Sequence, residues 1–115
     1  MDERVATELI ERARAETARL AAALARQRDE IVAASEFTSG DDEHDPEGVT
    51  IAFERAQVQA LLRQAQDDLT ALARAAERVL AGVYEVCERC GGPIAEGRLT
   101  ALPATRICIT CANRL

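Results

Sequence analysis

The chain has no lysine and no tryptophan, and among its 115 residues it has one tyrosine, two phenylalanines and one histidine. Few bulky side chains are therefore available for a globular core. Much of the apolar content is alanine, which adds little buried surface. An elongated helical protein is expected instead. Every basic residue is arginine, 14 against 20 acidic residues, for a net charge of −6, and no basic block occurs. That balance argues against a footprint on nucleic-acid phosphates, which rests on clustered cations. No apolar run approaches the roughly 18 residues that a membrane span needs. The opening MDERVATELIERARAE is charged throughout, so no signal peptide is expected. The expected location is the cytoplasm, where thiols stay reduced and paired cysteines point to metal or redox chemistry rather than to disulfides.

From about Asp2 to Glu36 there is neither proline nor glycine. Ile10, Ala13, Thr17, Leu20, Leu24, Gln27, Ile31 and Ala34 recur there at alternating steps of three and four, a heptad stripe on a helix. The segment FTSGDDEHDPEG interrupts it. Asp45 suits a helix cap and Pro46 the first helical position, where no amide partner is required. A second stripe follows over 46–82, with Ile51, Val58, Leu62, Ala65, Leu69, Leu72, Ala76, Val79 and Val83, and Gly82 marks its end.

Folded back as an antiparallel pair, the stripes match where position numbers add to 82: Ile31 with Ile51, Leu24 with Val58, Leu20 with Leu62, Ala13 with Leu69, Ile10 with Leu72. The centre of that reflection falls inside the interrupting segment. The fold class expected is mainly α. A long antiparallel coiled-coil hairpin (1–82) comprises a helix over 2–36, a tip loop over 37–45 and a helix over 46–82. A small four-cysteine module occupies 83–115. The tip is acidic, since Glu36, Asp41, Asp42, Glu43, Asp45 and Glu47 face no basic residue within 36–47. Phe53 falls off the seam and is expected to brace the loop against Phe37. His44 reads as an exposed loop residue.

After Val83 the texture changes to glycine, proline and cysteine. Cys87-x-x-Cys90 and Cys108-x-x-Cys111 are separated by seventeen residues, the spacing of a four-cysteine zinc site. Each pair allows a tight turn to aim two sulfurs at one ion, and two such knuckles complete a tetrahedron with no open position. One structural Zn2+ is expected, held by Cys87, Cys90, Cys108 and Cys111. So small a module cannot fold on buried area alone, so the metal must supply much of its folding free energy. A closed site of this kind does no catalysis. Elsewhere the chain offers no nucleophile–base pair and no glycine-rich phosphate loop, so no enzyme activity is expected.

The stretch GVYEVCERCGGPIAEGRLTALPATRICITC resembles the zinc finger of the DksA/TraR family through Gly82, Tyr84, Cys87, Cys90, Gly91, Ile94, Arg98, Leu99, Pro103, Cys108 and Cys111. Glu85 stands where that pattern has a second glycine. The resemblance implies a bacterial transcription regulator that binds RNA polymerase directly. In that family a coiled-coil tip enters the secondary channel, and no DNA sequence is read. Against the family tip pattern Asp-x-x-Asp-x-Ala, this chain has Asp42, Asp45 and Glu47, with Glu47 in place of the alanine. Features linked to binding of the alarmone ppGpp are missing: Leu102 replaces an arginine and Ala112 a lysine. Neither alarmone binding nor membrane association is expected, and the chain is expected to be a monomer. Two other uses of the same sequence are a zinc-braced coiled-coil adaptor for another protein and a DNA-binding finger. The second is poorly supported by the finger's four arginines against three glutamates.

Overall fold

The computed structural model describes residues 1–36 and 46–114, the side chains of Pro46 and Glu47 excepted. Among them are four helices: α1 (Glu3–Glu36), α2 (Pro46–Leu80), α3 (Glu96–Ala101) and α4 (Ile109–Ala112). The two long helices form the expected hairpin, and their ends follow from local chemistry. Asp2 lies one residue before α1, and its Oδ1 accepts from the amide of Arg4 at 3.0 Å, a side-chain cap on a free N-terminal donor. Pro46 opens α2, as its missing amide and fixed φ favour. At the other end Gly82 has φ 76°. Its amide bonds Val79 O, and the amide of Val83 bonds Arg78 O, both at 3.0 Å. This pair of bonds closes α2 two residues earlier than expected and uses a left-handed residue that only glycine adopts without strain. The tip residues 37–45, including Phe37, Asp42, His44 and Asp45, lie outside the described residues, and so does the capping role expected of Asp45.

Two compact units divide the chain. One comprises Met1–Thr17 with Asp68–Leu115, the other Ala18–Asp67. In the first, Ala6 and Ile10 of α1 pack with Leu72, Ala75 and Val79 of α2, and with Tyr84, Ile94, Leu99, Cys87, Cys108 and Cys111. Helix and cysteine module thus share one core, in which Leu99 has no exposed surface. That sharing explains how a module so poor in large apolar residues is covered: the alanine-rich helix ends supply the wall it lacks.

In the second unit Leu24, Val58, Leu62 and Ala65 form the buried cluster, with Ala21, Ala25 and Ile31 against it. Here the expected seam needs correction. Leu20 is 54% exposed, and Ala21 packs in its place. Gln27 and Ala34 are likewise exposed, while Arg28 and Ser35 are half-buried. The buried face of α1 runs 6, 10, 13, 17, 21, 24, 28, 31, 35: Leu24 and Ile31 keep the expected positions, while the alternate ones move by one residue, from 20, 27 and 34 to 21, 28 and 35. A straight helix has 3.6 residues per turn and drifts about 20° per heptad, so a stripe that follows the helix must skip occasionally. The register has a direct test. Leu62→Ala should cost about 2–5 kcal/mol by denaturant unfolding, as for other buried leucines. Leu20→Ala should stay within about 0.5 kcal/mol, as at other surface positions. Equal losses would restore the heptad register.

Candidate metal centre

The first knuckle begins in a short ribbon. The amide of Cys87 donates to Gly92 O at 2.8 Å, that of Ile94 to Glu85 O at 2.7 Å, and Val86 bridges Pro93 between them. To reverse within six residues the chain passes through Gly91 at φ 73°, whose amide bonds Cys87 O at 2.9 Å. The second knuckle is the start of α4: Cys108 is its N-cap, and the Cys108 sulfur accepts from the amide of Cys111 at 3.4 Å. Between the knuckles, α3 buries Leu99, and Arg98 Nε donates to Ile107 O at 2.9 Å, anchoring the approach to Cys108. Tyr84 closes the other side, its hydroxyl donating to Pro103 O at 2.7 Å.

These elements bring all four cysteine sulfurs within 4.8 Å of one another. The Cys90 and Cys108 sulfurs are 3.8 Å apart. With Zn–S bonds of about 2.3 Å, a tetrahedron has edges of about 3.8 Å, so this separation fits a zinc-sized cation. Backbone amides also point at the sulfurs, Cys108 N to Cys87 Sγ at 3.3 Å and Gly92 N to Cys90 Sγ at 3.4 Å. Such donors favour thiolates. The Cys87 thiol is accordingly held down at about 6, first by the amide of Cys90. Cys108 is lowered, chiefly by the amide of Cys111. Cys111 moves the opposite way, to about 12, because hydrogen bonding to Cys108 and then burial favour its protonated form. Crowded sulfurs cannot all carry charge unless a cation sits among them, and that is the condition a metal relieves. Three of the four are buried and Cys90 is exposed. An all-sulfur set suits Zn2+, and with four protein ligands it leaves no coordination position for substrate. The cofactor is one structural zinc ion.

Of the other residues expected to function, Asp42 and Asp45 lie outside the described residues. Glu47 sits in the first turn of α2, its side chain not described. Leu102 is exposed and Ala112 half-buried. The sequence did not flag Arg78, which sits in the last turn of α2 and reaches the first knuckle across ten residues to Glu88. A lone arginine near a helix end signals only a favourable dipole interaction. Among the described residues no helix is long and apolar enough to cross a membrane.

Comparison with known proteins agrees with this geometry. Residues 82–115 match the prokaryotic dksA/traR C4-type zinc finger. An uncharacterized protein of Aquifex aeolicus (strain VF5) is 49% identical over 41 residues, 36% of this chain and 28% of that relative, so the likeness spans under a third of its length. The structure of transcription factor DksA2 from Pseudomonas aeruginosa is similar at a TM-score of 0.80 and 20% identity, covering 97% of this chain and 81% of that one. Residues 82–115 are therefore a zinc finger of the dksA/traR C4 type, carried on a helical hairpin whose fold is similar to that of DksA2.

Proposed function

We propose that the chain is a transcription regulator that binds RNA polymerase directly, as a cytoplasmic protein without enzymatic activity of its own. The acidic tip residues Asp42 and Asp45, with Glu47 beside them, enter the secondary channel and act by charge near the active centre. The finger and the helices supply the binding surface, and no DNA sequence is read. The observation that carries this reading is the joint occurrence of a dksA/traR-type finger over 82–115 and the DksA2 fold over nearly the whole chain. A finger alone serves many partners; on this hairpin it has far fewer uses. The charge balance supports a protein partner over nucleic acid, because a chain at −6 with no lysine lacks the cationic stripe that phosphates require.

The test is a direct binding measurement between the zinc-loaded chain and purified core polymerase from the same bacterium, alongside a DNA gel shift. Saturable binding to polymerase with no shift of DNA supports the proposal. Binding to DNA that weakens steeply with salt, or no affinity for the polymerase at all, overturns it.

A further inference from the structure

Glu88 occupies the first variable position of the Cys87-x-x-Cys90 knuckle, and three parts of the fold meet on it. From α2, Arg78 Nη1 donates to Glu88 Oε1 at 2.8 Å, while Arg78 Nη2 donates to Val83 O at 2.9 Å and to Val86 O at 2.5 Å. From the strand of chain leading to Cys108, the Arg106 guanidinium lies 3.7 Å from Glu88 Oε2, and the Arg106 carbonyl accepts from the Glu88 amide at 2.9 Å. Val86 and Glu88 are the immediate neighbours of the ligand Cys87. Arg78 therefore grips the chain on both sides of one ligand. Glu88 in turn joins that ligand's knuckle to the approach of the other.

The two ion pairs differ in kind. The Arg78 side chain is only 13% exposed, and its fork contacts three acceptors, a geometry that lysine cannot reproduce. The Arg106 side chain is 53% exposed and its pair is long, so solvent screens it. Arg78 also carries a penalty. Its Nε is buried with no hydrogen-bond partner among the described residues. A buried donor left unsatisfied is uncommon in folded proteins. Here the other two nitrogens of the same guanidinium are committed to residues flanking Cys87, which is where the compensation lies.

We propose that the Arg78–Glu88 clasp prearranges the zinc ligands, so that the metal is held more tightly and leaves more slowly than the four cysteines alone would hold it. Arg78 is a positioning residue for Cys87, and Glu88 is its acceptor on the first knuckle, which the Glu88 amide ties to the Arg106 carbonyl on the approach to Cys108. Groups that orient metal ligands from outside the coordination sphere contribute about 10–100-fold to metal affinity at other protein sites. By linkage the coupling is reciprocal: zinc in the site also secures the last turn of α2, from which Arg78 reaches.

The experiment uses the full chain loaded with zinc, titrated with a chelator of known affinity, and the rate of metal release is followed in the same samples. Arg78→Lys and Glu88→Gln should each lower zinc affinity at least about 10-fold and speed release, whereas Arg106→Gln should change either by less than about threefold. Circular dichroism of the zinc-saturated variants should match the parent, which separates positioning of the ligands from general loss of fold. Because Arg78 and Glu88 act through one contact, the double variant should lose little more than the worse single one. Affinity and release rate within twofold of the parent in both single variants would overturn the proposal. So would a double variant whose loss equals the product of the two single losses, since that result means independent action.

Discussion

Cys108→Ser is expected to abolish zinc binding and to unfold the finger while leaving much of the hairpin helical. The cysteine serves the site in three ways. Its sulfur lies 3.8 Å from that of Cys90, accepts from the Cys111 amide as the cap of α4, and its own amide donates to Cys87 Sγ. A serine can still cap α4, and the backbone amide remains, but its oxygen is a harder donor on a shorter bond and a poor replacement for a thiolate on zinc. Structural zinc contributes about 10–16 kcal/mol to folding in small finger peptides, as much as the whole stability of an ordinary domain. No rearrangement within 82–114 can offset that loss.

The consequence extends past the finger, because Cys87, Cys108 and Cys111 share a core with Ala6, Ile10, Leu72 and Val79. Hydrogen exchange should therefore speed up throughout the finger and also in Met1–Thr17 and the end of α2. The cluster of Leu24, Val58, Leu62 and Ala65 contains no cysteine and should keep its protection. Zinc retained at one per chain, or loss of protection spread evenly over both units, would contradict this account.

Asp42→Asn combined with Asp45→Asn should eliminate regulation of transcription in vitro while leaving zinc content unchanged and polymerase affinity within about a few fold. The expectation rests on the proposed function, in which the tip contributes charge and the remainder of the chain contributes contact area. Most interface residues add little individually, so removing two carboxylates need not weaken binding much. Asparagine caps helices as well as aspartate does, so the replacement removes charge and keeps the capping ability that the sequence leads one to expect at position 45. Alanine at position 45 would remove the charge and that expected capping ability together, and loss of a cap costs about 1 kcal/mol. If the double variant regulates as well as the parent while still binding polymerase, the tip carboxylates are a solvated turn and the effect arises elsewhere. Loss of binding in parallel with regulation would instead place the main contact at the tip.

The zinc site was legible because cysteine spacing is a local property: two residues between ligands set each knuckle without reference to the rest of the fold. The hairpin was legible for a related reason, since both stripes repeat many times and their centre of reflection coincides with the only break between them. The details that eluded the sequence are those in which a neighbour decides. Leu20 is more apolar than Ala21, so a pattern read from hydrophobicity selects it. Closely packed helices favour the smaller side chain at the contact, and Leu20 is left exposed. The Arg78–Glu88 contact joins a helix end to a knuckle ten residues on, and no periodicity connects the two. Gly82 at the end of α2 belongs to the legible class, for it follows from chemistry within one turn, whereas the Asp2 cap of α1 emerged only in the structure.

Tyr84, buried at 5% exposure and bonded through its hydroxyl to Pro103 O, gives the molecule an optical property of its own. With no tryptophan to receive its excitation energy and no second tyrosine to add background, ultraviolet-excited emission comes almost wholly from this one ring. The hairpin is nearly dark at those wavelengths. Metal loss or docking against the finger should therefore be readable in unlabelled protein, whereas events confined to Ala18–Asp67 should not. The same ring responds to alkali. Burial raises its phenol above the ordinary tyrosine value. The folded finger therefore resists ionisation that the unfolded chain accepts, and its stability falls as pH climbs through the usual tyrosine range and stops falling above the raised value. The rise of phenolate absorbance should lag behind that of a free tyrosine until the finger opens, and should then catch up as the ring reaches water.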